Sequence, residues 1–300
     1  GLMLFAWFLG AGNLIFPAQL GQQAGEHVGS AMTGFLLTGA GLPLLGVIAI
    51  GYSGSQDVQE LSSRVTKWYG LLFSVALYLS IGPLFAIPRT ATVSFEIGVL
   101  PFLGNIGGTS KSIALALTSI VFFAVSYWLA ISPGKLVDRV GKVLTPMLLL
   151  CIAVLVIASV VFPMGGLQPS KGEWITSPFV KGFLEGYNTM DALASLVFAI
   201  IVIDAVKAMG VENKKQIMNL TMSAGVLAAS FLAIVYVSIA YMGAPSVSVF
   251  GILENGAKVL SSVSQFYFGM AGNVLLAAIV FLACLTTSVG LITSCADYFH

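Results

Sequence analysis

Long apolar runs constrain the fold of this chain more than any other feature. Residues 115–131, 144–161 and 220–242 contain no charged side chain, and each is close to the about 20 residues that cross a bilayer as a helix. Charged residues make up only 8% of the chain, against about a quarter in soluble proteins. The alternating pattern of a transmembrane barrel is absent. The sequence therefore predicts an all-α polytopic membrane protein in a lipid bilayer.

Eight spans are predicted, with connectors of unequal positive charge. The spans cover residues 2–22, 32–51, 68–98, 112–131, 143–162, 180–206, 218–243 and 267–298. Eight Lys and Arg residues lie in the connectors 52–67, 132–142 and 207–217, but only three lie in 23–31, 99–111, 163–179 and 244–266. The positive-inside rule then predicts a cytoplasmic N-terminus and a first span that runs outward.

Several function classes lack their sequence signals. The net charge of +1 gives no basic stripe for nucleic acid. The three cysteines and two histidines have no metal-ligand spacing. HExxH and GxSxG are absent, so an intramembrane enzyme is disfavoured. An ion channel stays open as an alternative, although no repeated filter string appears.

The first span carries a cluster of helix-weakening residues, in the string GAGNLIFP at 10–17. Each glycine costs a helix about 1 kcal/mol against alanine, and a proline costs about 3. Unwinding here would expose amide N–H groups at the start of the outer half-helix, where a substrate carboxylate could bind. A simple proline kink, with glycines for close packing, explains the same string.

The sixth span has a similar interruption at GYNTMD, residues 186–191. Polar groups at this depth are costly unless they face a cavity or a partner, although Asp191 could instead be interfacial. Breaks in spans one and six correspond if two five-span units are related by inversion, which points to a midplane transport site. Residues 1–162 would be the first unit and 180–300 the first three spans of the second, with further spans expected beyond residue 300.

Spans three and eight also carry polar or helix-breaking residues. Span three contains Pro83, Pro88 and Arg89; the arginine either snorkels to the outer interface or anchors an extracellular gate. Span eight contains adjacent hydroxyls at Thr286 and Thr287. Hydroxyl oxygens beside a free carbonyl suit a hard cation, whereas bonding back to the preceding helical turn is the simpler explanation.

Six strings together resemble the bacterial branched-chain amino acid carrier family, the LIVCS group of system II Leu/Ile/Val carriers. They are GAGNLIFP (10–17), QAGEHVG (23–29), GPLFAIPRTATVSFE (82–96), SPGKLVDRVG (132–141), GYNTMDALASLVF (186–198) and ACLTTSVGL (283–291). The resemblance implies a LeuT-type 5+5 inverted repeat with discontinuous helices 1 and 6. It further implies a symporter in the bacterial plasma membrane that imports leucine, isoleucine and valine with Na⁺ or H⁺. A carrier for another small amino acid is the alternative within the superfamily.

The resemblance also implies site residues. The unwound part of span one would present the backbone of Ala11, Gly12 and Asn13 to the substrate carboxylate, and span six would contribute Asn188, Thr189 and Asp191. Phe85 and Leu193 are candidates for the apolar pocket. The coupling Na⁺ would take its oxygens from a set shared by spans one and eight: Ala6, Leu9, Ala283, Thr286 and Thr287. Asp191 departs from the small hydroxyl residue that is usual at its position.

Overall fold

A computed structural model describes residues 1–55, 57–104, 107–131 and 137–299, and within them the chain is helical and contains no strand. The backbone alone is described at residues 11 and 137–139, and Lys135 and His300, which the sequence analysis counted, lie outside the described residues. The helices of the first half are α1 (Leu2–Phe8), α2 (Ala11–Ala24), α3 (Val28–Leu36), α4 (Leu42–Ser53), α5 (Val58–Ser63), α6 (Lys67–Leu79), α7 (Ala86–Gly98), α8 (Leu100–Leu103) and α9 (Gly108–Ala130).

The second half of the chain continues in the same way. Its helices are α10 (Thr145–Val161), α11 (Glu173–Thr176), α12 (Pro178–Tyr187), α13 (Asp191–Ala208), α14 (Lys214–Phe250), α15 (Gly256–Phe268) and α16 (Met270–Phe299). Three π-helical segments, Leu37–Gly41, Ser80–Leu84 and Val137–Leu144, lead into α4, α7 and α10. The first two lie inside predicted spans, where backbone groups must still find partners, and the third lies mostly in the predicted connector 132–142.

By length and apolar composition, six helical stretches among the described residues are able to cross a membrane, or seven if the bent pair α12 and α13 is one span. The predicted eight differs because Gly12–Ser53 forms one helical stretch of 42 residues. Such a stretch measures about 63 Å, roughly twice the hydrocarbon thickness. It contains a turn at Gly25, whose φ of +48° ends α2.

Contacts with α14 show the directions of the two halves of this stretch. Asn13 and Gln22 of α2 bond to Tyr236 and Ser246, so α2 runs parallel to α14. Positions 47 and 51, near the end of α4, instead lie beside positions 225 and 221 of α14. The chain therefore reverses direction between α2 and α4.

Span one is broken at Leu9 and Gly10, which separate α1 from α2. Leu9 has ψ of 72°, and Gly10 is extended with ψ of −178°. Pro17 stays inside α2, where its missing N–H frees the carbonyl of Asn13 from a helical partner. The break therefore lies at the glycine end of the string, and the proline acts one turn further on.

Spans six and three are broken as well. Between α12 and α13 the chain bends by 42°, and Met190 takes a φ of +66° that is uncommon for a side chain with a Cβ. In span three, Gly82 has non-helical angles (φ −91°, ψ −120°) and Phe85 follows with φ of −133°. All three predicted interruptions are thus present in the backbone.

One set of helices packs through glycines, and we call it the glycine-packed group: α1 to α4 and α12 to α14. A Cβ at Gly21 or Gly243 would strike the backbone between α2 and α14, and one at Gly34, Gly182 or Gly186 would strike it between α3 and α12. Small residues allow this close approach between membrane helices.

The remaining long helices pack on one another through side chains, and we call them the frame group: α6, α7, α9, α10 and α16. Toward α15, which belongs to neither group, α16 packs through glycine, because a Cβ at Gly272 would strike the α15 backbone. Phe122 of α9 and Phe281 of α16 meet edge to face, with ring centroids 5.7 Å apart. Tyr78 of α6 and Tyr298 of α16 stack with centroids 4.1 Å apart. The edge-to-face pair is within the about 4.5–7 Å that aromatic pairs prefer, and the stacked pair is slightly closer.

Candidate substrate and cation site

A cavity of about 60 Å³ lies where the three broken spans meet. This volume is several times the about 10–15 Å³ that one water molecule needs. Its polar walls are formed by Asn13, Arg89, Thr90, Thr189, Asp191 and Thr287. Its apolar walls include Trp7, Phe8, Ile81, Ala194, Phe198 and Leu291. Both helix groups contribute to the cavity, which is therefore placed at the boundary between them.

Asp191 is the centre of a buried hydrogen-bonded cluster. It is 4% exposed and accepts bonds from the Asn13 side-chain amide and, at 3.0 Å, from the Tyr236 hydroxyl. The Asn13 amide also donates to the Tyr236 oxygen. Buried carboxylates need such partners because an unpaired charge in a membrane is expensive. The cluster joins α2, α13 and α14, so the interfacial alternative for Asp191 does not describe this structure.

The backbone around the cluster offers further polar groups. The N-cap of α2 is Gly10, which has no side chain to satisfy the first N–H groups of that helix. In the α12–α13 break, the Thr189 hydroxyl donates to the Gly186 carbonyl at 2.8 Å. Asp191 is the first residue of α13, where a negative charge suits the helix dipole.

Oxygen atoms of α1 and α16 converge beside the span-one break. The Thr286 hydroxyl lies 2.9 Å from the Ala6 carbonyl oxygen and 3.0 Å from that of Ala283. The Thr287 hydroxyl lies 2.9 Å from the Trp7 carbonyl oxygen. Thr286 also bonds back to Leu282 at 3.0 Å, so the simpler explanation of the span-eight hydroxyls accounts for its contacts with both Leu282 and Ala283. The contacts to α1 are additional to it.

The apolar walls carry an aromatic cluster. The Phe198 ring lies 5.4 Å from Trp7 and 5.7 Å from Phe8, measured between centroids. Phe198 and Trp7 are fully buried. Rigid rings of this kind form a surface against which a branched aliphatic side chain can pack.

The structure brings only part of the predicted site together. Gly12, Asn13, Thr189, Asp191 and Thr287 line the cavity, and Ala6, Ala283 and Thr286 meet beside it. Leu9, which separates α1 from α2, is buried at the break, and at Ala11 the backbone alone is described.

The other predicted residues lie outside the described lining. Phe85 is 62% exposed, because the non-helical angles at Gly82 and Phe85 turn it away. Asn188 is exposed in the break, and Leu193 is half-buried on α13. Their substrate contacts therefore have no support in this conformation.

Sequence reasoning missed Tyr236 and Phe198. Each lies within a long apolar run without a local break, so neither residue stands out from its neighbours. A phenol in the middle of a span is the one available signal at Tyr236, because a buried hydroxyl needs a partner.

One family and several of its curated members are similar to this chain over its whole length. The family described as branched-chain amino acid transport protein matches residues 1–300. The branched-chain amino acid permeases BraB and BrnQ of Bacillus subtilis are 51% identical over 299 residues and 52% identical over 301 residues. The branched-chain amino acid transport system 2 carrier protein of Pseudomonas aeruginosa is 48% identical over 299 residues.

These alignments cover 100% of this chain and 66%, 68% and 67% of the three relatives. The chain thus spans about two thirds of the length of its curated relatives. The match runs through every broken span and both helix groups. The chain belongs to the branched-chain amino acid transport protein family.

Proposed function

We propose that this protein is a secondary active carrier that imports leucine, isoleucine and valine, coupled to Na⁺ or H⁺. The observation that carries the proposal is the cavity at the broken spans, with a buried polar cluster on one side and aromatic rings on the other. Its relatives are named branched-chain amino acid permeases. A branched-chain amino acid requires a binding site with one polar end and one apolar end.

The fold we propose is the LeuT-type inverted repeat, with eight spans in this chain. Residues 1–162 would form the first repeat and 180–300 the first three spans of the second. The corresponding breaks at Gly10 and Met190 support it. The reversal between α2 and α4 supports counting 12–53 as parts of two spans.

We further propose a bacterial plasma membrane location with a cytoplasmic N-terminus. Ser53, Arg64, Lys207, Lys214 and Lys215 gather at one end of the helices. The positive-inside rule makes that end cytoplasmic.

For the coupling ion we propose Na⁺ between α1 and α16. The candidate oxygens are the carbonyls of Ala6, Leu9 and Ala283 and the hydroxyls of Thr286 and Thr287. The fit is favourable because the donors are all oxygens, as hard cations prefer, and because four of the five lie on contacts between α1 and α16 or on the same turn. A cation here would tie the broken end of α1 to α16.

Substrate would bind across the α2 and α13 N-termini. The backbone of Ala11, Gly12 and Asn13 offers N–H groups to the carboxylate, and Thr189 and Asp191 lie on the other side. The aliphatic side chain would face Phe198. Discrimination among the three substrates should be weak, since one methylene is worth only about 1–3 kcal/mol in an apolar pocket.

Transport would follow from movement of the glycine-packed group against the frame group. Cation binding orders the break in α1, substrate completes the site, and the movement exposes the cavity to each side in turn. The cavity between the two groups supports this mechanism, because their relative movement changes its access without rebuilding either group.

The test is uptake of labelled leucine into proteoliposomes under an imposed Na⁺ or H⁺ gradient. We expect accumulation above the external concentration with one of the two gradients, and loss when the gradient is collapsed by an ionophore. Valine and isoleucine should compete, and lysine should not. No concentrative uptake of a branched-chain amino acid under either gradient would overturn the proposal.

A further inference from the structure

Arg89 is a charged side chain in span three that forms no direct salt bridge with a described residue, although Asp191 lines the same cavity and interacts with it electrostatically. It makes no hydrogen bond or direct ion pair with the described residues, and its guanidinium carbon lies 5.4 Å from the centroid of the Phe16 ring. Lys181, Lys207 and Lys258, which lie near helix ends, each pair with an acidic residue. A lone guanidinium within a span is costly and marks a functional position.

The guanidinium lies against the first turn of α2. A Cβ at Gly12 would come 2.8 Å from Nη2 of Arg89, so glycine at this position allows the close approach. The same turn has N–H groups without a side-chain cap and forms the positive end of the helix. Two positive features therefore converge on one wall of the cavity, and together they favour an anion.

A negatively charged side chain lies on another wall of the same cavity. Asp191 lines it together with Arg89 and is held in place by Asn13 and Tyr236. The Phe16 ring under Arg89 restricts the guanidinium by a cation–π contact. A cavity with one fixed cationic wall and one fixed anionic wall is complementary to a zwitterion.

We propose that Arg89 binds the carboxylate of the transported amino acid and that Asp191, positioned by Tyr236, receives its ammonium group. The inference rests on the proposed function and adds to it the side chain that binds the substrate carboxylate. A guanidinium matches a carboxylate with two parallel hydrogen bonds, which a lysine does not reproduce. The site then requires both charged ends of an α-amino acid, and the aliphatic side chain faces Phe8 and Phe198.

The experiment compares ligands that each lack one charged end. Purified protein is titrated with leucine, leucinamide and 4-methylpentanoate, and affinity is taken from the ligand-induced rise in unfolding temperature. Wild-type protein should bind leucine at least about 30-fold more tightly than leucinamide, because loss of one partner leaves a buried charge unpaired. Leucinamide binding within about 3-fold of leucine would overturn the inference, while binding of no branched-chain amino acid would instead overturn the proposed function.

Variants separate a carboxylate contact from a structural role. Arg89→Gln should lose leucine affinity by at least about 30-fold but change leucinamide affinity by less than about 3-fold. Asp191→Asn should lower the affinity for leucine more than that for 4-methylpentanoate, so the difference between these two affinities should narrow. Lys111→Gln, which removes an exposed positive charge on α9, is the control for net charge.

An equal loss of affinity for leucine and leucinamide in Arg89→Gln would contradict the inference, since that pattern is expected if Arg89 is a gate or a packing residue. Arg89→Lys covers the case in which the glutamine variant fails to fold. It retains the charge without the planar fork, so leucine affinity should fall while leucinamide affinity holds. An unchanged leucine-to-leucinamide ratio in Arg89→Lys would also count against a bidentate contact.

Discussion

The two helix groups differ in which atoms form their packing contacts. In the glycine-packed group the contacts run from backbone to backbone: a Cβ at Gly182 would strike the Ala31 carbonyl, and one at Gly243 would strike the Ala18 carbonyl. In the frame group a Cβ at Gly98 would meet Ala277 at 3.8 Å, an ordinary contact. Backbone-to-backbone packing leaves no flexible side chain to absorb a shift, so the glycine-packed group should move as one unit.

The functional groups follow the same division. Asn13, Asp191 and Tyr236 all belong to the glycine-packed group, whereas Arg89 and Thr287 belong to the frame group. The cluster around Asp191 would therefore stay intact in the movement that we propose between the groups. Contacts such as Thr287 to Trp7 cross the boundary, and these are the contacts that should change.

The largest expected effect comes from a disulfide across the boundary. A Cβ at Gly141 would lie 3.4 Å from that of Met3, close to the spacing of about 3.5–4.5 Å in a disulfide. In a background without Cys151, Cys284 and Cys295, oxidised Met3→Cys/Gly141→Cys protein should lose leucine uptake and regain it on reduction.

The matched control is a disulfide within one group. A Cβ at Gly225 would lie at the same 3.4 Å from that of Val47, and both positions are in the glycine-packed group. Oxidised Val47→Cys/Gly225→Cys protein should keep transporting. If this internal bond stopped uptake as completely as the boundary bond, the group would not move as a unit.

A strong effect is also expected from the buried cluster. Asp191→Ala removes the acceptor of the Tyr236 hydroxyl and one of the two acceptors of the Asn13 amide, so leucine uptake should fall at least about 30-fold. Asp204→Ala is the control, because its partner Lys207 is 3.3 Å away at an exposed site on the same helix. Uptake by the control should stay within about 2-fold, measured as initial rates in proteoliposomes.

A more moderate effect is expected at the boundary hydroxyl. Thr287→Ala removes the contact to the Trp7 carbonyl, and its half-saturating Na⁺ concentration should rise about 10-fold, as for loss of a hydrogen bond to a charged group. Thr293→Ala is the control, since that hydroxyl bonds only back to Val289 of its own helix. Unchanged sodium dependence in Thr287→Ala would mean that the cation lies elsewhere.

The smallest expected effect compares one glycine from each group. Gly182→Ala should destabilise the folded protein by about 1–3 kcal/mol, because the added methyl group meets backbone. Gly98→Ala should have little effect, since its methyl group has room. Thermal unfolding in detergent measures both, and equal unfolding temperatures would remove the proposed contrast in packing.

Much of this architecture could be predicted from local sequence. The apolar runs predicted the helices, and Gly10, Gly12 and Asn13 predicted where span one is interrupted. Such breaks can be predicted because glycine and proline weaken a helix within a few residues of their own position.

The partners in the site could not be predicted in the same way. Tyr236 meets Asn13 of α2 because Gly21 and Gly243 let α14 approach α2, and no local pattern records which distant helix will be the neighbour. Phe85 of span three was a candidate for the apolar pocket. The backbone angles at Gly82 direct it outward instead.

The most direct test of the account is a structure of the protein with leucine bound. We predict that leucine lies in the cavity between the two helix groups, with its carboxylate at Arg89 and Gly12 and its ammonium group at Asp191. The aliphatic end should contact Phe198. Leucine bound elsewhere, such as in the opening beside Lys207 and Lys214, with this cavity left to water, would contradict the account.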